Sequence, residues 1–308
     1  MKDFFKNKDT SMKKTFLNIP LLQWGSFVSA GIAAILQMLA MLFSHERTEN
    51  YFVADATLPT FAVIFALISL LTGFAAALVH RKEIRTEIVS RFHKLHYATA
   101  FGFLCALSGV VVTLTQRALD IWERHTDSER FFRDYLSSNP AKLMLLSVPF
   151  LILAIVYCVL LAHKGYEKDP QKNAWFGLAA IIACALLSVT LYFDMSVEMN
   201  SPAKIFLQGG CLCAMIFFTA ELRRLLGKKF ALLLLMLSTL VISMGSLSFL
   251  AIPVAYPAGI VHRFDHFTYS LFLLCMLPTA LGQILDLFIS IPQKSDPTDS
   301  DTERTETI

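Results

Sequence analysis

The side chains that could bind a ligand or exchange a proton fall in three short stretches, each set against an apolar run. The first is 198-EMNSPAKIFLQGG-210, where Asn200, Lys204 and Gln208 recur at four-residue spacing. Residues four apart share a helix face, so two amides and an ammonium would line one side of a segment near its start. The same run ends on Glu221 and Arg223, a carboxylate and a guanidinium. The second stretch is 277-LPTALGQILD-286. Pro278 removes a backbone hydrogen bond and should kink a helix. Gly282 thins one face, and Gln283 and Asp286 bring an amide and a carboxylate close to the end of an apolar segment. The third stretch holds His262, Asp265 and His266. If it is helical, the two histidines have metal-compatible spacing, with Asp194, Glu198 or His45 as a third ligand. The chemistry these groups offer is recognition of a small solute or an ion. The sequence contains no P-loop, no G-x-G-x-x-G, no G-x-S-x-G and no H-E-x-x-H, so nothing recommends an enzyme. No cofactor is expected, and no nucleic-acid partner.

The elements that must position these groups are membrane helices. The chain has 308 residues, 55% of them hydrophobic, and a mean hydropathy of +0.56. The apolar residues collect in runs of about 20, long enough to cross a hydrocarbon core of about 30 Å as helices. Lipid offers no partner for backbone N–H and C=O groups, so each run must satisfy its own. The runs do not alternate with period two, which argues against a β-barrel. The pattern predicts an all-α bundle of eight spans: Leu21–Phe43, Leu58–Val79, Tyr97–Leu114, Leu143–Ala162, Ala174–Phe193, Ile205–Leu222, Phe230–Ala251 and Phe267–Phe288. The first apolar stretch is longer than a signal-peptide core and is expected to be retained.

Charge sets the expected orientation. With the N-terminus inside, the inner segments carry 19 of the 27 Lys and Arg residues and the outer segments eight. Five of those eight lie in the loop Thr115–Lys142, where five acids balance them. This asymmetry predicts both termini in the cytoplasm, at the cell membrane. Residues 1–15 form a basic head, 16–292 the membrane domain and 293–308 an acidic tail expected to be disordered. All six cysteines fall within spans, as small apolar packing residues. In the long outer loop, Trp122, Phe131, Phe132 and Tyr135 mixed with charges suit a helix lying at the interface.

A plainer reading covers the first stretch. Ser201 caps a helix, Pro202 occupies its first turn and Lys204 reaches the outer headgroups. The pattern Met-Asn-Ser-Pro-x-Lys, an apolar span containing Gln, and then Glu-x-Arg resembles a group of uncharacterised bacterial multi-pass membrane proteins. The resemblance covers Met199–Arg223 and implies no activity. It groups Asn200, Pro202, Lys204, Glu221 and Arg223 as a unit. The function expected from these observations is a transport or permease-like component for a small or amphiphilic solute. The alternative is a membrane sensor or an anchor and assembly subunit, which would add a membrane or cytoplasmic partner to the lipid bilayer. A quinone- or haem-linked redox anchor ranks below both. No histidine is expected at mid-span, where facing haem ligands would have to be.

Overall fold

The structure is a computed structural model, and it describes residues 19–46, 51–52, 56–82, 84, 92–124, 128–164, 170–195, 197, 201–226 and 231–288. The basic head and the acidic tail lie outside the described residues. The helices are α1 (Leu21–Phe43), α2 (Thr57–Val79), α3 (His96–Trp122), α4 (Ser128–Tyr135), α5 (Asn139–Lys164), α6 (Pro170–Phe193), α7 (Pro202–Leu225), α8 (Ala231–Gly245), α9 (Ala251–Ala255) and α10 (Phe264–Phe288). A single 3-10 turn, His93–Leu95, leads into α3. The described strands are two-residue pairs, β1 (His45–Glu46) and β2 (Tyr51–Phe52), antiparallel between α1 and α2. Among the described residues, seven helices are long and apolar enough to cross a membrane.

Most spans match the apolar runs and extend past them. α3 continues to Trp122, through Gln116, Arg117 and Asp120, because a helix can go on satisfying its backbone after its side chains turn polar. The expected run Phe230–Ala251 behaves differently. α8 stops at Gly245 after 15 residues, turns occupy 246–250, and the five-residue α9 follows. Two local causes coincide. Ser246 and Ser248 turn their hydroxyls back to the carbonyls of Ser243 and Gly245, competing with the helical ladder. Pro253 has no N–H to donate, so it fits a first turn, and α9 begins two residues before it.

The helix α3 packs closely against α10. Gly102 and Gly109 lie seven residues apart on one face of α3. A Cβ added at Gly102 would stand 2.8 Å from Cβ of Cys275 and 3.0 Å from the carbonyl oxygen of Phe272. Small residues let two backbones approach this closely in lipid, where dispersion and hydrogen bonds replace the hydrophobic drive. The Thr99 and Thr279 hydroxyls meet across the seam at 2.6 Å. Thr279 also donates to the carbonyl of Leu95 at 3.1 Å, next to Pro278, which lies inside the continuous helix α10. From α3 the bundle continues through α5 and α6 to α7, which packs back on α10. The α1–α2 hairpin forms a second layer on α8 and α9. Hydroxyls hold that layer: Ser26 donates to the carbonyl of Ser69 at 2.8 Å, and the Ser69 and Ser243 hydroxyls lie 2.8 Å apart.

The faces turned away from these seams carry large exposed apolar side chains, among them Leu71, Phe101, Leu104 and Val111. That pattern belongs to a multi-pass membrane protein. On α6, Trp175 near one end and Tyr192 and Phe193 at the other are exposed aromatics.

The α3–α10 seam predicts a specific sensitivity. Gly102→Leu should lower stability in detergent by about 1–3 kcal/mol through overpacking, read as a drop in thermal midpoint. Gly25→Ala, where no other group lies within 4 Å of the added atom, should leave it unchanged.

Candidate functional sites at the two ends of the bundle

Two clusters of buried polar residues lie about 25 Å apart along the same two helices, α7 and α10, taking 1.5 Å of rise per residue. The starts of these helices both reach Asp194 at one cluster, and their ends bond each other at the other, so the helices run parallel.

At the helix ends, the centre is Glu221, fully buried on α7. Its Oε1 accepts from Nε2 of Gln283 at 3.0 Å and lies 2.8 Å from Nε2 of His96. Its Oε2 accepts from the Tyr157 hydroxyl at 3.2 Å. Gln283 in turn accepts from Arg224 at 2.7 Å. Nδ1 of His96 lies 2.9 Å from the carbonyl oxygen of His93, in the 3-10 turn. Three elements, α3, α5 and α10, thus place one side chain each around the α7 carboxylate, with Arg224 behind. Spacing explains the membership. Glu221 and Arg224 are three apart and share a face, as do Gln283 and Asp286. Arg223 points away and is exposed, whereas Arg224 is buried. Asp286 is buried in the last turn of α10.

At the helix starts, Asp194 follows α6, Lys204 lies in the first turn of α7, and Arg263, Asp265 and His266 open α10. Arg263 grips Asp265 with two bonds, Nε to Oδ1 at 3.0 Å and NH2 to Oδ2 at 2.8 Å, and reaches Asp194 Oδ2 at 3.3 Å. The Asp265 carboxylate beside it holds the Arg263 guanidinium above its already high pKa, with partial burial opposing. It therefore stays charged at every accessible pH. Lys204 is buried rather than reaching out to the surface, and its ammonium donates to the backbone carbonyls of Asp194 at 2.5 Å and Val197 at 3.1 Å. Ligand atoms of Asp194, Asp265 and His266 all lie within 4.8 Å of one another. That set could hold a cation, but the Arg263 guanidinium already occupies the two carboxylates. Nε2 of His266 and the Tyr269 hydroxyl are buried and make no hydrogen bond to the described residues.

Beside this cluster is a cavity of about 550 Å³. Its wall includes Arg117 and Asp120 of α3, Asp194, His262 and Arg263, with Phe193, Tyr256 and Phe264 supplying apolar surface. Cationic, anionic and aromatic groups therefore face one space. Arg117 is steadied from outside by the Asp134 and Tyr135 carbonyls at the end of α4. Between the two clusters stands a block of buried rings. Phe103 lies 4.6 Å from Phe272 and 5.6 Å from Phe218, centroid to centroid, and Tyr157 lies 6.4 Å from Phe218.

The residues singled out from the sequence are divided by this geometry. Lys204 belongs to one cluster; Glu221 and Gln283 belong to the other, with Asp286 at its edge. Gln208 is half-buried between them, and its backbone carbonyl accepts from Ser188 at 3.5 Å. Asn200 lies outside the described residues. Ser201 is the N-cap of α7 but makes no side-chain cap bond, and Pro202 takes the first turn. His262 is exposed on the segment before α10, which begins at Phe264, so it does not share a helix face with buried His266. His96, Tyr157, Arg224, Asp194 and Arg263 complete the clusters. Each sits at a helix end or in an apolar run, and the sequence signal that could have raised Arg224 above Arg223 is its three-residue spacing from Glu221.

No protein-family model matches this chain, and no curated protein and no solved structure matches it.

Removing Arg263 leaves two buried carboxylates facing each other. Arg263→Leu should cost about 3–5 kcal/mol, the usual effect of breaking a buried pair. Arg263→Leu combined with Asp265→Asn should recover much of that loss in a thermal unfolding series.

Proposed function

We propose that this protein is a transport or permease-like component of the cell membrane, handling a small or amphiphilic solute through the cavity beside Asp194 and Arg263. The observation that carries the reading is the pair of buried charged clusters at opposite ends of α7 and α10, one of them bordering that cavity. Ionisable groups inside a bilayer are costly and are kept where a solute or ion is handled. A cavity of this size fits a small molecule, and convergent polar groups on an apolar wall suit specific recognition. The aromatic block between the clusters serves as the barrier that a carrier must open on one side at a time. The break between α8 and α9 and the missing backbone N–H at Pro278 give the flanking helices places to bend, as broken helices do in transporters.

The accompanying topology is eight crossings, with α8 and the segment after it completing the seventh. Both chain ends face the cytoplasm, the Glu221 cluster lies on the inner side and the cavity opens outward. The support is the asymmetry of Lys and Arg across the predicted loops. Epitope tags at the two ends should be unreachable by antibody in intact cells and reachable after permeabilisation. Labelling of either tag from outside contradicts this topology.

Reconstituted protein should take up at least one member of a panel of zwitterionic and amphiphilic solutes. His262→Ala and Asp120→Asn, both on the cavity wall, should reduce that uptake about tenfold or more with the thermal midpoint unchanged. A tenfold loss corresponds to about 1.4 kcal/mol of binding. A broad panel with no uptake removes the transport reading.

A further inference from the structure

We propose that His96 and Glu221 form a binding site for one exchangeable proton, reached from the Glu221 end of the bundle, whose occupancy decides whether α3 and α7 are joined there. The argument follows hydrogen-bond direction. The carbonyl of His93 can only accept, so Nδ1 of His96 carries a hydrogen. Arg224 can only donate, so the end of Gln283 facing it is Oε1, and Nε2 of Gln283 faces Glu221 and donates. The Tyr157 hydroxyl donates to the other carboxylate oxygen. Among the bonds between described residues, the one whose hydrogen these partners leave open is the 2.8 Å line between Nε2 of His96 and Oε1 of Glu221. One proton on that line makes a charge-assisted bond between α3 and α7. With no proton there, a nitrogen lone pair faces an anionic oxygen at the same distance. That repulsion opens the contact.

The groups facing the pair are consistent with a proton and not a metal ion. Tyr157 and Cys158 approach from α5, Arg224 from α7, and Gln283 and Asp286 from α10, with the His93 carbonyl closing the α3 side. Arg224 repels an added cation, and Glu221 already has three groups directed at its two oxygens. Asp286 lies nearer the end of α10 than Gln283 and within electrostatic reach of His96. On release the Nε2–H bond breaks, its electron pair stays on nitrogen, and the proton passes to water. Uptake reverses these steps. The proton site stands on this geometry alone; only its use as the coupling ion rests on the transport reading.

The test is nitrogen NMR of histidine-labelled full-length protein in lipid nanodiscs, with His96→Gln used to assign the His96 signals. The expected result is an imidazolium at neutral pH that loses one proton in a single step as pH rises. Nε2 should be the nitrogen laid bare and Nδ1 the one still protonated. Nitroxide labels at exposed Tyr97 and Arg223 should move apart in the same step. In Glu221→Gln the amide can bond His96 without the extra proton, so the imidazolium signal and the pH-dependent distance change should both be lost. Glu221→Asp should retain the imidazolium. A His96 that is neutral throughout, a bared Nδ1, or an unaltered step in Glu221→Gln overturns the proposal. Uptake in proteoliposomes is scored separately. Uptake indifferent to a pH gradient removes the coupling role, and absence of uptake strikes the transport reading while the NMR result decides the proton site.

Discussion

A carboxylate enclosed in an apolar bundle must receive from the protein everything water would have given it. Glu221 meets this demand with partners from three other helices, and the rest of the architecture can be traced to keeping them in place. Leaving an ionised group there without partners would cost several kcal/mol. The positions of α3, α5 and α10 around α7 are therefore coupled to one another through a single side chain. The glycine seam of α3 serves the same end, because His96 can reach α7 only if α3 lies tightly against α10. The bond from Thr279 to the Leu95 carbonyl ties the start of α3 to α10.

The two clusters differ in what they ask of protonation. At the Asp194 end the neutralising group is a guanidinium gripping a carboxylate with two bonds, and its charge does not vary with pH. At the Glu221 end the nearest partner is an imidazole, whose charge does. One end of the bundle is thus a fixed lock beside a cavity, and the other is a latch that a proton can set. The Phe103–Phe218–Phe272 block between them contains no polar side chain, so no wire of hydrogen bonds runs through those rings.

Much of the fold was legible in the chain because the signal is coarse: an apolar run of sufficient length has one backbone solution in lipid. The run at 230–251 is not one helix, because its hydropathy continues across Gly245 while two serine hydroxyls and Pro253 end the ladder locally. The sites were less legible. Lys204, Glu221, Gln283 and Asp286 stood out as polar groups in apolar runs, but nothing in their spacing within the chain says that Glu221 meets Gln283, 62 positions away, or His96, 125 positions away. His96 stands one residue before the expected span Tyr97–Leu114, and its burial comes from the neighbours that cover it. Lys204 looked like a snorkelling residue, yet the chain at Asp194 and Val197 folds over it and offers carbonyls. Tertiary closure of this kind leaves no periodic trace.

The exposed aromatics of α6 bear on which membranes suit this protein. Trp175 and Tyr192 are 17 residues apart, about 25 Å along the helix. Such rings settle at the level of the headgroups. This side of the bundle therefore fits a bilayer thinner than the common hydrocarbon thickness of about 30 Å. In longer-chain lipid, the annulus beside α6 must compress, or the protein must gather with others of its kind to hide the mismatch. Acyl-chain length thus becomes a variable acting on one flank of the molecule, on a helix that packs directly against α7.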